Sequence, residues 1–454
     1  MRFSLTRAHA VRCAALLVVL AVAAGAAVLL HAAVRPPKLQ YQMFALPNGL
    51  RVILSEDHST PIVHVSVTYH VGSKNERTGR TGFAHLFEHM MFKGSKNVDP
   101  EEHASMLASI GGQSNAYTND DATVFWQTVP SQYLPLVLWM EADRMATLRI
   151  DKSTFENERE VVKEERRLRV DNPPFGRLSE ILYDQFYTVS PYKHTTIGSM
   201  KDLDAASVED VRDFHSQFYV PHNATMAIVG DFDVAQAKEL VTRYLARVPK
   251  SDRVIPRDYV REAPTKAERR ITVNENWPLP AVIVAYPITW DGNPDSYPLH
   301  LTSKILSDGD SSRIYQSLVY EKQIALSAFG GGNIIEEPNL FFAVALVAPG
   351  HTHDEVEKAL VAEFDKLRMQ PISERELQRA KNQFFRDYIV DRESVRGKAS
   401  QLAHAVVIHD DITTADGEVE IFTNMKVSDL QRVAKTYFTP ESRLVLKILP
   451  KGAR

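Results

Sequence analysis

The sequence contains segments that resemble each other at long range, and this internal repeat constrains the fold more than any other feature. Lys304 follows His89 by 215 residues, and Pro440 follows Pro221 by 219 residues, each within a matching local pattern. Such a period is far too long for a solenoid, so two matches at nearly one offset predict a duplicated domain. The paired segments are 83–94 with 297–309, and 208–229 with 427–448.

A polar stretch with several prolines, residues 249–266, separates the two copies. Because 454 residues exceed one ordinary hydrophobic core, we predict two domains joined by this linker. The first would span residues 43–248 and the second residues 267–450. Within the first, alternating apolar residues in 62–71 predict a strand. The residues on one face of this strand are Val63, Val65, Val67 and Tyr69.

The chain begins with a basic and then strongly apolar segment. Three arginines precede an uncharged apolar run, residues 13–30. The run is long for a cleaved signal peptide and just long enough for one membrane span, so residues 1–33 are predicted to be either a signal peptide or a membrane anchor. In a bacterium, both alternatives place the remainder in the periplasm, soluble or anchored to the inner membrane, after a linker at 34–42. The single cysteine, Cys13, lies within this run, which suits an oxidising compartment.

Two histidines four residues apart, His85 and His89, enclose Glu88 in a segment predicted to be helical. On a helix the two imidazoles fall on one face, one turn apart, where they can bind one Zn²⁺. Glu88 lies between them in angle, so its carboxylate can reach a water molecule on the metal and act as general base. The order His-x-x-Glu-His is the signature of the inverted zinc peptidases.

A catalytic zinc needs a third protein ligand, and the helix predicted at 153–170 is rich in carboxylates. Residues seven apart share a helix face, so Glu158 and Glu165 can both point to one site. Glu164 would point about 100° away from Glu165, which favours Glu165 as the ligand. The candidates on this helix are Glu156, Glu158, Glu160, Glu164 and Glu165.

Three motifs in this order resemble the pitrilysin/insulinase family of zinc metallopeptidases, and most closely its mitochondrial processing peptidase-like branch. They are His-x-x-Glu-His at 85–89, Asn-Ala-x-Thr at 115–118 and Glu-Arg-x-Val-Val-x-x-Glu at 158–165. The resemblance covers residues 43–450. It implies an α+β fold of two homologous α/β sandwich domains, each a mostly antiparallel sheet covered by helices, arranged as half of a clamshell or a whole one.

The resemblance also implies roles for individual residues. One zinc ion per chain would be bound by the two motif histidines and Glu165, and Glu158 would assist by orienting a ligand histidine. Asn115 and Ala116 would lie on a strand at a sheet edge, where the peptide substrate adds as a further strand. Backbone pairing of this kind gives affinity with little sequence preference.

The second copy of the repeat departs from the first. Ser303 and Lys304 stand in place of Glu88 and His89, so only the first domain is predicted to bind metal. Residue His300 matches His85. The His-x-x-Glu-His arrangement is therefore expected in the first copy of the repeat alone.

A second departure concerns the half that should face the metal. Family members that act alone carry an arginine and, seven residues on, a tyrosine in the second domain; here Val319 and Leu326 occupy those positions. Either Tyr320 or Arg313 substitutes through a shifted alignment, or a related subunit supplies the missing pair. We therefore expect a heterodimer with a homologous subunit, or a homodimer.

These features favour a zinc-dependent endopeptidase that hydrolyses peptides or unfolded protein segments outside the cytoplasm. The alternative is a non-catalytic or weakly active subunit that binds peptides or scaffolds a hetero-oligomer.

Other features of the sequence exclude or restrict further functions. A formal net charge of −4 gives no indication of nucleic-acid binding. Any membrane anchor would lie at residues 13–30. Residues 330–332, three glycines, lack the context of a phosphate loop and are predicted to form a hairpin or bend. Several other histidines have no spacing that predicts a ligand pair: His103, His194, His215, His222, His404 and His409.

Overall fold

The structure, a computed structural model, describes residues 37–263 and 265–452. The predicted leader or anchor at residues 1–33 lies outside these described residues. Within them, no helix is both long enough and apolar enough to cross a membrane. From Leu39 onward the chain forms one unit built on two sheets.

Six strands form the first sheet. In chain order they are β1 (Gln42–Ala45), β2 (Arg51–Glu56), β3 (Ile62–Tyr69), β4 (Gln113–Thr118), β5 (Thr123–Pro130) and β6 (Ala224–Gly230). Their order across the sheet is β1-β2-β6-β3-β5-β4. Strands β2 and β6 are parallel, and the other neighbouring strands are antiparallel. Strand β4 is last in the order and therefore forms one edge of the sheet.

Five strands form the second sheet. They are β7 (Arg269–Glu275), β8 (Ala281–Pro287), β9 (Ala325–Gly332), β10 (Leu340–Val347) and β11 (Leu444–Pro450). Their order is β7-β11-β8-β10-β9, with β7 and β11 parallel and the other neighbours antiparallel. This order and these directions match β2-β6-β3-β5-β4 of the first sheet. The repeat in the sequence therefore corresponds to a repeated topology, and the predicted α+β fold of two related domains is confirmed.

The helices occur in groups between the strands in both halves of the chain. Those of the first half are α1 (Phe83–Met90), α2 (Glu102–Ser109), α3 (Leu134–Thr147), α4 (Lys152–Arg166), α5 (Leu178–Phe186), α6 (Met200–Ala205), α7 (Val208–Phe218) and α8 (Val234–Leu245). Those of the second half are α9 (Ser296–Leu306), α10 (His353–Met369), α11 (Glu374–Glu393), α12 (Val395–Val407), α13 (Thr414–Asn424) and α14 (Val427–Tyr437).

Each sheet is covered on one face by helices of its own half and on the other by a helix of the opposite half. Leu182 of α5 lies in one apolar cluster with Ile283 of the second sheet. In the reverse direction, Val406 of α12 lies in one apolar cluster with Val229 of the first sheet. Burial of apolar surface is the main favourable term in folding, so this reciprocal packing ties the two halves together.

The predicted faces of strand β3 agree with the structure. Its alternating apolar side chains, from Val63 to Tyr69, lie in the main core of the first half. His64, Ser66 and Thr68 point to the opposite face and line a cavity there. A period of two along a strand puts successive side chains on opposite faces, so the alternation in the sequence was sufficient for this prediction.

Of the hairpin or bend predicted at residues 330–332, the structure forms the hairpin: these glycines end strand β9, which pairs antiparallel with the next strand, β10. Gly330 lies opposite Ala343 of strand β10. A Cβ atom at position 330 would lie 2.1 Å from the carbonyl oxygen of Phe342. The glycine therefore serves the close approach of two strands rather than a turn.

A buried ionic group joins the two halves behind the first sheet. The Lys74 ammonium is fully buried and lies 2.8 Å from Asp121 Oδ1 and 2.5 Å from Glu336 Oε2. His70 Nε2 lies 2.6 Å from the same Glu336 oxygen. Burial alone would raise the pKa of Glu336, but the hydrogen bond with His70 and the charge of Lys74 lower it to about 2. Since Glu336 belongs to the second half, the group links the halves through charge as well as through apolar packing.

Candidate metal centre

Helix α1 begins at a tight turn that sets the direction of its side chains. Gly82 has a φ of 91°, in the left-handed region that glycine adopts without strain. The buried Glu76 carboxylate accepts hydrogen bonds of 2.8 Å from the backbone N–H groups of Gly82 and Ala84, which are among the donors that a helix start leaves free. The face of α1 turned to the core carries Phe83, Leu86, Phe87 and Met90. Consequently His85 and His89 lie on the other face.

The two histidines meet a carboxylate from helix α4. His89 Nε2 lies 3.2 Å and His85 Nε2 lies 3.6 Å from Glu165 Oε2. One donor atom from each of the three side chains lies within 4.8 Å of the others. The three residues are partly buried and line an open cavity of about 670 Å³. Two imidazoles and one carboxylate around an accessible cavity are the donor set of a catalytic zinc site.

The protonation of the histidines suits metal binding. Burial, and then the neighbouring charge of His89, lower the pKa of His85 to about 4, so its imidazole is neutral at neutral pH. The Nδ1 atom of His85 is buried without a hydrogen-bond partner in the described part of the chain. Burial alone would lower the pKa of His89, but the adjacent carboxylates of Glu158 and Glu165 raise it. The three side chains thus fit a zinc ion, which would replace the proton that His89 favours.

Arg169, a residue that the sequence analysis missed, holds the other oxygen of Glu165. Its Nη1 atom lies 2.7 Å from Glu165 Oε1, which leaves Oε2 for the histidines. Arginine four residues after a glutamate on a helical segment is a recognised pairing pattern, so the sequence contained this signal. Arg169 also lines the cavity.

Glu158 lies on the Nδ1 side of His89, and its side chain is shielded from solvent. Its Oε2 atom is 3.7 Å from His89 Nδ1, and its Oε1 atom is 3.3 Å from Lys93 Nζ. The carboxylate is buried, and its pKa is lowered because the contacts with His89 and Lys93 outweigh the effect of burial. With Nδ1 directed to Glu158, His89 directs Nε2 into the site. Lys93, four residues after His89, was also missed from the sequence.

Glu88 faces the cavity from α1 and is anchored by the edge strand. Thr118 Oγ1 donates a hydrogen bond of 2.8 Å to Glu88 Oε2. Burial raises the pKa of Glu88 above its usual value, and the Thr118 hydrogen bond offsets part of this rise. A carboxylate with a raised pKa is a stronger base than an exposed one.

Asn115 and Ala116 lie on strand β4, at the edge of the first sheet. In the register they stand opposite Trp126 and Phe125 of strand β5. Both line the cavity that holds the two histidines and Glu165. The Asn115 side-chain oxygen accepts a hydrogen bond of 2.8 Å from the Ala116 N–H. The sequence thus brings a sheet edge to the same opening as His85, His89 and Glu165.

The other acidic candidates on α4 stay outside this group. Glu160 pairs with Lys163 at 3.1 Å, and Glu164 pairs with Arg167 at 2.8 Å. Glu156 faces Lys152 at 3.8 Å. The three carboxylates are exposed, and ion pairs of this kind along a helix contribute little to stability.

The residues at or near the positions of the missing arginine and tyrosine differ in their contacts and in their exposure to solvent. Arg313 is held by Glu376 through contacts of 2.8 and 3.0 Å. By contrast, Tyr320 is 72% exposed and Leu326 is 55% exposed. Val319 packs at the margin of the second core.

The matching positions of the second half carry an ion pair in place of metal donors. Lys304 Nζ lies 2.8 Å from Asp387 and 2.9 Å from Asp308. His300 packs against the rings of Phe384 and Phe422, with centroids 5.8 and 5.7 Å away. An ammonium group already neutralises the carboxylates there, so a cation has no reason to bind.

Comparison with known families gives matches to both halves of the chain. Residues 51–199 match the family described as Insulinase (Peptidase family M16). Residues 205–384 match the family described as Peptidase M16 inactive domain. The second description agrees with the loss of metal donors around Lys304.

Two curated relatives illustrate the range of similarity. The chain is 33% identical over 412 residues to the zinc protease PqqE of Helicobacter pylori, which covers 90% of this chain and 92% of that protein. It is 24% identical over 356 residues to the mitochondrial-processing peptidase subunit beta of Saccharomyces cerevisiae, covering 74% of this chain and 76% of that one.

Solved structures extend the comparison to the fold. The crystal structure of a protease from Helicobacter pylori matches with a TM-score of 0.87 and 31% identity, covering 91% of this chain and 100% of that chain. The first half of the periplasmic protease PqqL from Escherichia coli matches with a TM-score of 0.73 and 20% identity, covering 92% and 93%. The same match covers 48% of the whole PqqL chain. The present chain thus has the fold of one half of that longer protein.

Proposed function

Because this chain belongs to the insulinase family of peptidases, M16, we propose that it is a zinc-dependent endopeptidase of the inverted His-x-x-Glu-His type. The observation that carries the proposal is the convergence of His85 Nε2 and His89 Nε2 on Glu165 Oε2, at 3.6 and 3.2 Å. Relatives named zinc proteases support a metallopeptidase. One zinc ion per chain, bound by these three residues, is the stoichiometry that this arrangement favours.

The proposed mechanism assigns separate tasks to the residues around the cavity. When bound, zinc would supply Lewis-acid polarisation of the scissile carbonyl and would lower the pKa of water. Glu88 would accept the proton of the attacking water and deliver it to the leaving amine. Thr118 would hold the Glu88 carboxylate in place through its 2.8 Å hydrogen bond. Glu158 and Arg169 would orient His89 and Glu165.

The proposed substrate is an extended peptide or an unfolded protein segment. It would add to strand β4 beside Asn115 and Ala116, so that the scissile bond reaches the metal-binding side chains. The cavity of about 670 Å³ next to this edge supports the proposal, because it can admit several side chains of an extended peptide. Recognition through the backbone predicts broad sequence tolerance.

The direct test combines metal content with hydrolysis of an unstructured fluorogenic peptide. Zinc-loaded wild type should cleave the peptide, a chelator should abolish cleavage, and added zinc should restore it. Glu88→Gln should bind zinc normally and lose cleavage by at least about 100-fold. Glu156→Gln is the matched control, since this glutamate is an exposed carboxylate on α4 that lies 3.8 Å from Lys152, outside the group formed by His85, His89 and Glu165. Equal cleavage by wild type and Glu88→Gln would refute the mechanism.

A second candidate function is a weakly active or non-catalytic subunit of a hetero-oligomer. The observation in its favour is that Val319 and Leu326 occupy the positions expected for a substrate-facing arginine and tyrosine. Arg313 is engaged by Glu376 and is not available as the substitute. A homologous partner subunit in a heterodimer, or a second copy in a homodimer, would then complete the site. The name of the yeast relative, subunit beta, fits such an assembly.

Purification of the chain alone and with candidate homologous partners separates the two functions. Full peptide turnover by the isolated monomer would rule out the requirement for a partner. Turnover that appears when a metal-free homologue is added would support the heterodimer. Zinc-loaded protein that cleaves nothing in any combination would favour the scaffold.

We also propose that the protein works outside the cytoplasm, and that its domains are 43–248 and 267–450. The basic and apolar start of the sequence supports export, and one structural neighbour is a periplasmic protease. Cell fractionation with N-terminal sequencing of the mature protein would distinguish a cleaved signal peptide from an anchor. Recovery of the full chain in the cytoplasmic fraction would contradict export.

A further inference from the structure

A second group of potential metal donors lies at the junction between the two halves. Asp291 Oδ2 is 2.8 Å from His404 Nε2 and 3.3 Å from His409 Nε2. One donor atom of each residue lies within 4.8 Å of the others, as in the group formed by His85, His89 and Glu165. The sequence analysis treated both histidines as ordinary, because neither their spacing of five residues nor the distant aspartate predicts a site.

The three residues come from elements that pack on different sheets. Asp291 lies in the turn after strand β8 of the second sheet, and its N–H donates a 2.7 Å hydrogen bond to the Ile335 carbonyl. His404 lies on helix α12, which packs on the first sheet, and His409 follows that helix. Gly292, with a φ of 84°, lets the turn pass close to the His409 ring. An ion bound here would fasten α12 to the second sheet.

The hydrogen bonds around His409 determine which of its nitrogens carries a proton. The Thr414 hydroxyl donates to the Asp411 carbonyl over 2.8 Å. Having one proton, this hydroxyl must accept from His409 Nδ1, which lies 2.9 Å away. In the neutral imidazole, Nε2 then presents a lone pair toward the Asp291 carboxylate. Fixing the outer nitrogen in this way is how proteins prepare a histidine to bind metal.

The inner nitrogen of His409 lacks a partner. Its Nε2 atom is buried and makes no hydrogen bond to any described residue, although it lies 3.3 Å from Asp291. A lone pair facing a carboxylate is unfavourable unless the nitrogen is protonated or a metal cation lies between the two atoms. The exposed fraction of the side chain is 9% for His409, 15% for Asp291 and 52% for His404. Because His404 is half-exposed, an ion can reach the site from solvent.

We propose that Asp291, His404 and His409 form a second, structural binding site for a divalent transition-metal ion, with zinc as the reference ion. Two imidazoles and one carboxylate suit zinc better than calcium or magnesium, which prefer oxygen ligands. The site lies outside the substrate cavity described above and takes no part in hydrolysis. Its role is to stabilise the junction between α12 and the second sheet, so its occupancy raises the temperature of unfolding.

The simpler alternative is a histidine–aspartate ion pair without metal. The chain contains such a pair elsewhere, His58 Nδ1 with Asp231 at 2.6 Å, in which one exposed histidine meets the carboxylate. His58→Ala therefore serves as a matched control, because it removes a histidine from a carboxylate partner without touching a three-donor group.

The test uses tag-free full-length protein in which the first site has been removed by His85→Ala with His89→Ala. After chelator treatment and dialysis against zinc, this variant should retain one zinc per chain by elemental analysis. Its unfolding temperature should rise with zinc concentration, because a ligand that binds only the folded state stabilises it. Adding His404→Ala, a change at a half-exposed side chain, should abolish both the bound zinc and this rise. Adding His58→Ala should change neither.

Two results would overturn the proposal. One is a His85→Ala, His89→Ala variant that is folded, as judged by circular dichroism, and binds no zinc. The other is zinc content and a zinc-dependent unfolding temperature that are unaffected by His404→Ala. Neither readout depends on peptidase activity, so failure here is distinguishable from failure of the proposed enzyme function.

Discussion

Arg169 Nη1 lies 2.7 Å from Glu165 Oε1, and this contact divides the two carboxylate oxygens between separate partners. One oxygen is held from outside, and the other faces His85 and His89. The geometry of Glu165, the proposed third zinc ligand, therefore depends on a residue that is itself 75% exposed.

Replacing this arginine should make the proposed metal ligand, Glu165, less well positioned. We expect Arg169→Ala to weaken zinc binding by about 10-fold, because partners that orient a ligand typically change metal affinity by this amount or more. Competition with a calibrated zinc chelator measures the change. Arg167→Ala is the control, since Arg167 pairs with the uninvolved Glu164 at 2.8 Å. Identical affinities for the two variants would show that Arg169 does not position Glu165.

Glu158→Gln should impair catalysis while preserving the fold. The substitution keeps the shape of the side chain but removes the charge near His89 Nδ1 and Lys93 Nζ. We expect kcat/KM for an unstructured peptide to fall roughly 10- to 100-fold. Glu156→Gln on the same helix should retain wild-type kinetics. A Glu158→Gln variant as active as this control would contradict the assisting role.

Thr118→Val should lower kcat by roughly 10-fold, because Glu88 loses the hydrogen bond that orients it. The substitution is close to isosteric and leaves strand β4 apolar contacts in place. Thr118→Ser restores the hydroxyl and should recover most of the activity. Steady-state kinetics of wild type, Thr118→Val and Thr118→Ser measure kcat. Equal losses of kcat in the two variants would show that packing at this position matters rather than the hydroxyl.

The buried ionic group at Glu336 predicts a loss of stability in acid. Its folded-state pKa of about 2 lies below the ordinary value of 4.5, so the group contributes stability above pH 4.5 that is lost as the pH falls toward 2. The contribution is on the order of 3 kcal/mol, and it depends on His70 and Lys74. Urea unfolding of wild type and Glu336→Gln at pH 7, 4 and 2.5 measures it.

The difference in stability between these two proteins should be largest at pH 7 and should shrink in acid. Glu357→Gln tests a carboxylate away from this junction, near Lys447 at 2.8 Å. A gap between wild type and Glu336→Gln that stays constant from pH 7 to 2.5 would exclude the proposed linkage.

Local patterns in the sequence were sufficient for much of the fold and of the candidate site. The repeat predicted two related sheets, and the alternation from Val63 to Tyr69 predicted the faces of a strand. Helical spacing put Glu158 and Glu165 on one face, and the structure brings Glu165 to the two histidines. The repeat and the strand faces are confirmed because each depends on periodicity within one element or on one repeat, whereas the metal role of Glu165 stays a prediction.

Contacts between distant segments were beyond the sequence. Glu336 meets Lys74 across 262 residues, and Asp291 meets His404 across 113 residues. No local period relates such partners, and their side chains alone suggest surface charges. The reciprocal packing of α5 and α12 was likewise invisible, because an apolar helix face does not reveal which sheet it covers.

That packing has a consequence for the order of events during protein synthesis. Strands β1 to β6 leave the ribosome well before residues 395–407, which supply the helix that covers the second face of their sheet. Until then the nascent first half carries a bare apolar face around Ile53 and Val229. Such a surface is prone to aggregation. We therefore expect the first half either to be bound by a chaperone or to stay unfolded until nearly the whole polypeptide has been made.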